Sequence, residues 1–300
     1  MVVRNERTGM LFVLVTPIIE GLFPIFAVMA SDSFPPIFFV AFAVLIAFFG
    51  FGAYFILSGS YRVHIPFKVF LYSAIVASIV LSGFVLIMIG SKSTTGINTA
   101  LLLKTEMVFA FLLSAFLLKE DLHIVQMIGA LLVLLGAVAV LFNGSISLNI
   151  GDVIILSAGF LFPVANIFAK KALQMASSTT VLFLRYSFGV CIFIPLSFLL
   201  EDPISVIASM DANNYLLLFS YGILVLTISK ICWYIGLRIL PIGIVTYVAS
   251  SASAFSLVFA YFLLKEVPSS YQFIGFILSL VGVYLIVRKP PVPCPPADLV

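Results

Sequence analysis

Apolar residues along this chain fall into ten blocks of about 20 residues, and short polar breaks separate the blocks. The blocks occupy residues 9–30, 36–57, 67–89, 96–118, 124–142, 152–169, 180–200, 215–236, 242–264 and 271–287. A helix of about 20 apolar residues is long enough to cross the ~30 Å hydrocarbon core of a bilayer. The pattern therefore predicts an all-α integral membrane protein with ten transmembrane helices.

The last five blocks repeat the first five. The segment Phe-Leu-Leu-Lys-Glu at 116–120 recurs at 262–266, an offset of 146 residues. At this offset the identical residues include Gln126 and Gln272, Gly129 and Gly275, and Gly136 and Gly282. Near the start of each half, Leu22-Phe23-Pro24 recurs as Leu161-Phe162-Pro163. The sequence thus predicts two five-helix repeats, at 1–145 and 146–289, and a proline-rich, disordered tail at 290–300.

Because each repeat has an odd number of helices, the second must enter the membrane upside down relative to the first. Inverted repeats are typical of transporters whose binding site lies near the midplane, where the halves meet. Lys and Arg predict the orientation, since cytoplasmic segments are enriched in both. The outer loops hold Lys92 and Lys265, and the cytoplasmic segments hold Arg4, Arg7, Arg62, Lys68, Lys119, Lys170, Lys171, Arg238, Arg288 and Lys289. We expect a multi-pass protein of the cell (plasma) membrane with both termini cytoplasmic.

Composition excludes several classes of function. With 63% hydrophobic and 9% charged residues and a mean hydropathy of +1.28, the chain has more apolar surface than a soluble domain can bury. The net charge of +3 comes without a basic cluster, which argues against a nucleic-acid partner. The two histidines, His64 and His123, have no metal-ligand spacing, and no catalytic motif is present. We therefore expect neither an enzyme nor a bound cofactor or metal.

The duplicated Phe-Leu-Leu-Lys-Glu hairpin, followed each time by Gln-x-x-Gly and a second Gly seven residues on, resembles the drug/metabolite transporter superfamily of the EamA type. The resemblance covers all but the two tails. It implies a secondary transporter, often an exporter of amino acids or other small metabolites. In that fold, helices 1–4 and 6–9 surround the path, and helices 5 and 10 are peripheral. The fourth helix of many relatives is uncharged at its centre, whereas here it contains Lys104 and Glu106, which argues against a purely hydrophobic substrate.

Four charged residues lie near the centres of predicted spans: Glu20, Lys104, Glu106 and Lys230. A charge at that depth costs at least about 2.5–3.5 kcal/mol, so such residues usually face a bundle interior or a wet cavity. Pro24 has no N–H for the Glu20 carbonyl, so a free carbonyl and a carboxylate occur at one residue. The structural alternative for Glu20 is an ion pair with Lys104 or Lys230. Lys230 alternatively extends toward the cytoplasmic end of its helix.

The spacing of Lys104 and Glu106 predicts that they point to different faces of one helix, so that each needs its own partner. Trp233 and Tyr234 follow Lys230 by one turn, which suits a small polar solute with an apolar side group. Asn166 lies three residues after Pro163 and therefore close to an expected helix break, so it is either a hydrogen-bonding group of the site or a helix–helix contact. Arg185, within two turns of the cytoplasmic start of its helix, is interpreted as extending to the membrane surface or as forming a structural pair. Glu120 and Glu266 are interpreted as stabilising the helix that follows each.

Together these residues predict a substrate-binding site formed by Glu20, Lys104, Glu106, Asn166, Lys230 and Trp233. Two carboxylates and two ammonium groups would balance, and a zwitterion such as an amino acid could bind by exchanging partners with them. Protons are a candidate coupling ion, because a carboxylate in such a site can carry one. We expect a monomer or a homodimer in the lipid bilayer. A channel and a non-transporting sensor or scaffold remain the alternatives.

Overall fold

The computed structural model describes residues 6–57, 65–118, 124–142, 149–239, 245, 248–249 and 251–287. The tail predicted at 290–300 and the residue Glu120 lie outside these ranges. Every regular element within them is helical. The first half contains α1 (Glu6–Glu20), α2 (Phe23–Ser33), α3 (Pro36–Leu57), α4 (Phe67–Ser91), α5 (Gly96–Leu102), α6 (Thr105–Leu118) and α7 (Ile124–Phe142).

The second half has more interruptions. It contains α8 (Ile150–Leu173), α9 (Ser178–Leu200), α10 (Pro203–Ser209), α11 (Ala212–Ser220), a π-helix (Tyr221–Ile228), α12 (Ser229–Ile239), α13 (Ala252–Phe259), a second π-helix (Ala260–Leu264) and α14 (Ser270–Val287). Eight helical stretches of the described chain are long and apolar enough to cross a membrane. Two shorter apolar helices, Ala252–Leu264 and Ser270–Ile286, follow them. The prediction of an all-helical membrane architecture is confirmed.

The block predicted as one helix at 9–30 is divided. α1 ends at Glu20, and α2 begins at Phe23 with Pro24 in its first turn. Proline is well suited to that position because the first N–H groups of a helix have no partner inside it. A Cβ added at Gly21, in the break, would lie 2.7 Å from Phe255 Cβ and 3.0 Å from the Ala252 carbonyl oxygen. The break therefore allows the chain to pass close against α13.

The block predicted as one helix at 96–118 is also divided, and no proline marks the position. α5 ends at Leu102 and α6 begins at Thr105, with a turn at Leu103 and Lys104 between them. The turn is held by short-range bonds: Lys104 N–H donates to the Leu101 carbonyl, and the Thr105 hydroxyl donates to the Leu102 carbonyl at 2.7 Å. The prediction of a continuous helix was wrong here because short-range backbone and side-chain hydrogen bonds, not a proline or glycine, hold the turn.

The helices pack in pairs that join the two halves. α3 packs along α9, α4 along α8, α7 along α14, and α1 against α12. The largest buried cluster lies mainly between α3, α4, α9 and the first π-helix, and includes Phe38, Phe51, Leu81, Tyr186 and Leu226. Many large apolar side chains on the outer faces are exposed, as expected for surfaces in contact with lipid.

The close contact between α7 and α14 involves the four glycines singled out from the repeat. A Cβ added at Gly129 would lie 2.6 Å from the Gly282 carbonyl oxygen, and one at Gly136 would lie 2.7 Å from that of Gly275. The later glycine of α7 thus contacts the earlier glycine of α14. The two helices therefore run antiparallel, and the small residues let their backbones touch.

At one end of the bundle, two carboxylates cap helices of the opposite half. Glu266 accepts hydrogen bonds from the N–H groups of Gly96 (2.9 Å) and Ile97 (3.0 Å) at the start of α5. Glu201 accepts from Ile37 (3.0 Å) and Phe38 at the start of α3. The expected dipole interaction of Glu266 thus exists, but with a helix distant in sequence instead of the one that follows it.

Candidate functional site

A central cavity of about 440 Å³ lies where the interrupted helices meet. Its described lining comes from α1, α2, α4, α5, α6, α8, α9, the first π-helix and α12, together with residues at 249–256. None of the lining residues belongs to α3, α7 or α14. The described residues of the first, third, fourth and sixth to ninth predicted spans therefore form the cavity wall.

All six predicted site residues lie on this wall: Glu20, Lys104, Glu106, Asn166, Lys230 and Trp233. They come from four of the predicted spans and are brought together only by the fold. This placement establishes that the six are neighbours of one cavity.

Glu20 and Lys230 form an ion pair across the cavity wall. Lys230 Nζ donates to Glu20 Oε1 at 2.6 Å, and the Ser229 hydroxyl donates to the same oxygen at 2.5 Å. The side chains are 28% and 23% exposed for Lys230 and Glu20, so both ends of the pair reach the cavity. Glu20 is the last residue of α1, and Lys230 is in the first turn of α12. The pair therefore joins an interrupted helix of each half.

Lys104 and Glu106 both line the cavity. The prediction that they point to different faces assumed a regular helix through both residues. The turn at Leu103 and Lys104 changes the angular relation between them, so spacing along the chain no longer decides their directions. Their charges interact with each other and with Glu20, and Glu106 also interacts with Lys230. The four charges thus form one electrostatic cluster.

Asn166 and Trp233 also line the cavity. Asn166 is exposed on α8, which continues without interruption past Pro163. The expected helix break beside Asn166 is therefore absent. Trp233 is half-buried and packs against Val13 and Val245 at the edge of the cavity. The side chain of Tyr234 lies outside the described part of the molecule.

Sequence reasoning missed Arg185, which also lines the cavity. Its position near the start of α9 suggested a residue at the membrane surface. The structure instead places its guanidinium carbon 5.1 Å from the centre of the Tyr186 ring. Tyr186 is buried, and its hydroxyl donates a hydrogen bond to the carbonyl of Leu226 in the first π-helix. An Arg within an apolar block is the sequence signal that would have included it.

Apolar and aromatic side chains form much of the remaining wall. The ring centroid of Phe84 is 5.5 Å from that of Phe23 and 5.5 Å from that of Phe162. Phe162 packs over Gly83, where an added Cβ would lie 3.0 Å from the ring. Among the described residues, no group of three His, Cys, Asp or Glu side chains is placed to hold a metal ion. The cavity thus combines five charged groups with an aromatic surface.

Comparison with known proteins supplies an independent line of evidence. The sequence profile of the EamA-like transporter family matches two segments, residues 7–142 and 149–288. A riboflavin transporter, ImpX, of Fusobacterium nucleatum is 29% identical over 61% of this chain and 63% of its own length. A probable amino-acid metabolite efflux pump of Escherichia coli is 26% identical over 62% of this chain and 65% of its own length.

The chain spans 59%, 58% and 69% of the lengths of three further curated relatives, all described as uncharacterized transporters. A crystal structure, described only as that of a protein, superposes with a TM-score of 0.66. The superposition covers 94% of this chain and 96% of the other at 15% identity, which indicates a shared fold. Together with the eight membrane-length helices, these similarities identify a multi-pass membrane protein.

Proposed function

Because this chain belongs to the EamA-like transporter family, we propose that it is a secondary active transporter of small metabolites. Transport would proceed by alternating access around the central cavity. The observation that carries the proposal is the Glu20–Lys230 ion pair, which joins helices of the two halves and is partly exposed to the cavity. A relative's name mentions amino-acid metabolites, and we extend that class to this chain as part of the proposal.

The charged cluster suggests how binding would be coupled to movement. A zwitterionic solute places a carboxylate and an ammonium group near partners of opposite sign. If Glu20 left Lys230 and paired with the ammonium group of the solute instead, the contact between α1 and α12 would weaken. A ligand shifts a conformational equilibrium only through different interactions with the two states, and this exchange supplies such a difference. Protons are the proposed coupling ion, with Glu20 or Glu106 as the carrier.

We also propose that ten spans form two inverted five-helix repeats. The antiparallel contact of α7 with α14 supports this, because these helices carry equivalent repeat glycines. The packing pairs support it as well. If each helix is replaced by its equivalent in the other half, the α4–α8 pair becomes the α12–α1 pair, which is also observed. The α3–α9 and α7–α14 pairs each join equivalent helices, so the same replacement reproduces them. The two shorter apolar helices would complete the ten spans. A monomer or a homodimer is compatible with the proposal.

Transport by the purified protein in liposomes tests the mechanism. We expect saturable uptake of a metabolite selected from an amino-acid panel, and stimulation by the same solute on the opposite side. Glu20→Gln and Lys104→Met should each abolish saturable transport while folded protein remains in the membrane. Lys170→Met, which removes an exposed charge on α8 outside the cavity lining, is the matched control and should transport normally. Wild-type rates in both cavity variants would show that the cluster is structural.

The same assay separates the alternative functions. A channel would give non-saturating flux without counter-flow, and a sensor or scaffold would give no flux. We propose that the chain carries out no chemical reaction, so the solute recovered after transport should be unmodified. Recovery of a modified solute would contradict this part of the proposal.

The proposed orientation places both termini in the cytoplasm of a cell. The proposed direction of transport is export, which is supported by the name of the efflux-pump relative. Single cysteines at Ala212 and Lys170, introduced after Cys191, Cys232 and Cys294 are replaced, test the orientation. The cysteine at 212 should react with an impermeant maleimide from outside, and the cysteine at 170 should react only after the membrane is opened. The reverse pattern would overturn the assignment.

A further inference from the structure

The cations of the cavity differ in how their hydrogen-bonding capacity is used. Lys230 is held by Glu20 at 2.6 Å. Arg185 Nε is buried, and no hydrogen-bond partner for it occurs among the described residues. A buried donor without a partner costs about 1–3 kcal/mol, so native structures rarely leave one unused without a functional reason. The Arg185 side chain that carries this donor lines a cavity that can admit a solute.

The position of the Arg185 side chain is fixed by its neighbour. Its guanidinium lies against the ring of Tyr186, an arrangement stabilised by the attraction of a cation for an aromatic face. The hydroxyl of Tyr186 is in turn hydrogen-bonded to Leu226 of the first π-helix. A π-helix inside a longer helix is often found at a functional site. This chain of contacts holds the guanidinium at the wall before a solute arrives.

The charged residues that line the cavity include more cations than carboxylates. Its lining carries the cations Lys104, Arg185 and Lys230 and the carboxylates Glu20 and Glu106. With all five groups ionised, one positive charge is in excess. The planar fork of an Arg matches a carboxylate in two parallel hydrogen bonds, which a Lys cannot provide. The aromatic wall of Phe23, Phe84 and Phe162 offers a surface for an apolar part of the same solute.

We infer that Arg185 binds the carboxylate of the transported solute, and that the solute joins a carboxylate to an aromatic or other flat apolar group. The inference rests on the proposed transport function and deepens it. It assigns the carboxylate to Arg185 and leaves Glu20 and Glu106 to interact with a cationic group. Tyr186 acts as the positioning residue of Arg185.

Binding measured on the detergent-purified full chain tests this assignment without requiring transport. The probes are 3-phenylpropionate, phenylalanine, phenethylamine, which lacks the carboxylate, and phenyl phosphate. Wild-type protein should bind the two carboxylates more tightly than phenethylamine. Arg185→Met should weaken carboxylate binding about tenfold or more, the usual loss for a charge-assisted hydrogen bond, and leave phenethylamine unchanged. Arg185→Lys keeps the charge, guards against misfolding, and should recover only part of the loss.

Two further variants separate a binding role from a structural one. Lys170→Met controls for the loss of a basic residue and should not change any affinity. Tyr186→Phe keeps the ring but loses the bond to Leu226, so it should weaken the carboxylates more than phenethylamine. An equal loss for all probes in Arg185→Met, or no loss for the carboxylates, would overturn the assignment. Failure of wild-type protein to bind either carboxylate, or tighter binding of phenyl phosphate, would do the same.

Flux measurements with the same probes distinguish this inference from the function on which it rests. Selective binding without flux would refute transport and leave the role of Arg185 intact. Saturable flux that is indifferent to the carboxylate would refute the role of Arg185 and leave the transporter intact.

Discussion

The same tripeptide, Leu-Phe-Pro, occurs in α1–α2 and in α8 with different consequences. The residue four positions before the proline is Glu20 in the first half and Gly159 in the second. In both cases the proline cannot donate to the carbonyl of that residue. The first helix ends at Glu20, whereas α8 continues from Ile150 to Leu173. Proline therefore permits an interruption here without requiring one.

The neighbours of the two positions explain the difference. Glu20 forms an ion pair with Lys230 and accepts a hydrogen bond from Ser229, both in α12. Gly21 packs so closely against α13 that an added Cβ would overlap Phe255. Gly159 has no side chain, and a Cβ added there would meet only Thr105 Oγ1, at 3.5 Å, and more distant atoms of α6. The copy in α1–α2 thus lies beside a charged contact between the halves, and the copy in α8 lies beside a packing contact.

The largest expected effect comes from breaking the ion pair on one side only. Lys230→Met leaves Glu20 partly buried without its cation, and should destabilise the protein by about 3 kcal/mol. The double variant Glu20→Gln with Lys230→Met should recover most of that loss and still fail to transport. Thermal unfolding in detergent measures the first result, and liposome flux measures the second. Additive losses in the double variant would show that the two residues do not stabilise each other.

A second test concerns the part of the molecule where the halves are equivalent. An added Cβ at Gly136 or at Gly275 would lie 2.7 Å from the carbonyl oxygen of the other glycine. Gly136→Ala and Gly275→Ala should therefore lower stability by a similar amount, about 1–3 kcal/mol each, because backbone must move in both cases. Gly52→Ala is the matched control, since its Cβ would meet a ring atom of Phe183 at an ordinary 3.6 Å. Clearly unequal losses at 136 and 275 would argue against the reciprocal contact.

A third test compares the two proline-linked sites directly. Gly21→Ala would place a Cβ 2.7 Å from Phe255 Cβ and should destabilise by about 1–2 kcal/mol and slow transport. Gly159→Ala meets nothing closer than 3.5 Å and should be neutral, or stabilising by up to about 1 kcal/mol through helix propensity. Unfolding temperature and initial flux are the readouts. If the two substitutions have the same effect, the asymmetry between the sites is not one of packing.

The smallest expected effect is at the cap that Glu266 provides for α5. Glu266→Gln keeps one acceptor oxygen, which can serve only one of the Gly96 and Ile97 N–H groups, and removes the charge that interacts with the helix terminus. We expect a loss of about 0.5–1 kcal/mol, which should diminish in high salt. Unfolding in low and high salt measures it, and Lys265→Gln, on the exposed neighbour, serves as the control. A loss independent of salt would indicate that the lost hydrogen bond or the packing of the side chain, not its charge, matters.

The sequence was sufficient to predict the membrane architecture and the members of the charged cluster. Repeated blocks of about 20 apolar residues indicate membrane-spanning helices. A charge inside such a block is stable only in a bundle interior or a wet cavity. It was insufficient for the turn at Leu103 and Lys104, because no Gly or Pro marks it. It was also insufficient for Arg185, because position along a helix does not report which way a long side chain turns.

What the sequence determined by itself is the class of the molecule, its repeated glycines and the depth of its charges, since hydrophobicity and spacing are properties of the chain. The tertiary structure alone decided which charges meet. Glu20 pairs with Lys230, Glu266 caps α5, and the Tyr186 hydroxyl bonds to Leu226 because residues far apart in sequence approach to within a few ångströms. Short-range polar interactions depend on that approach, and the packing of interrupted helices from both halves sets it.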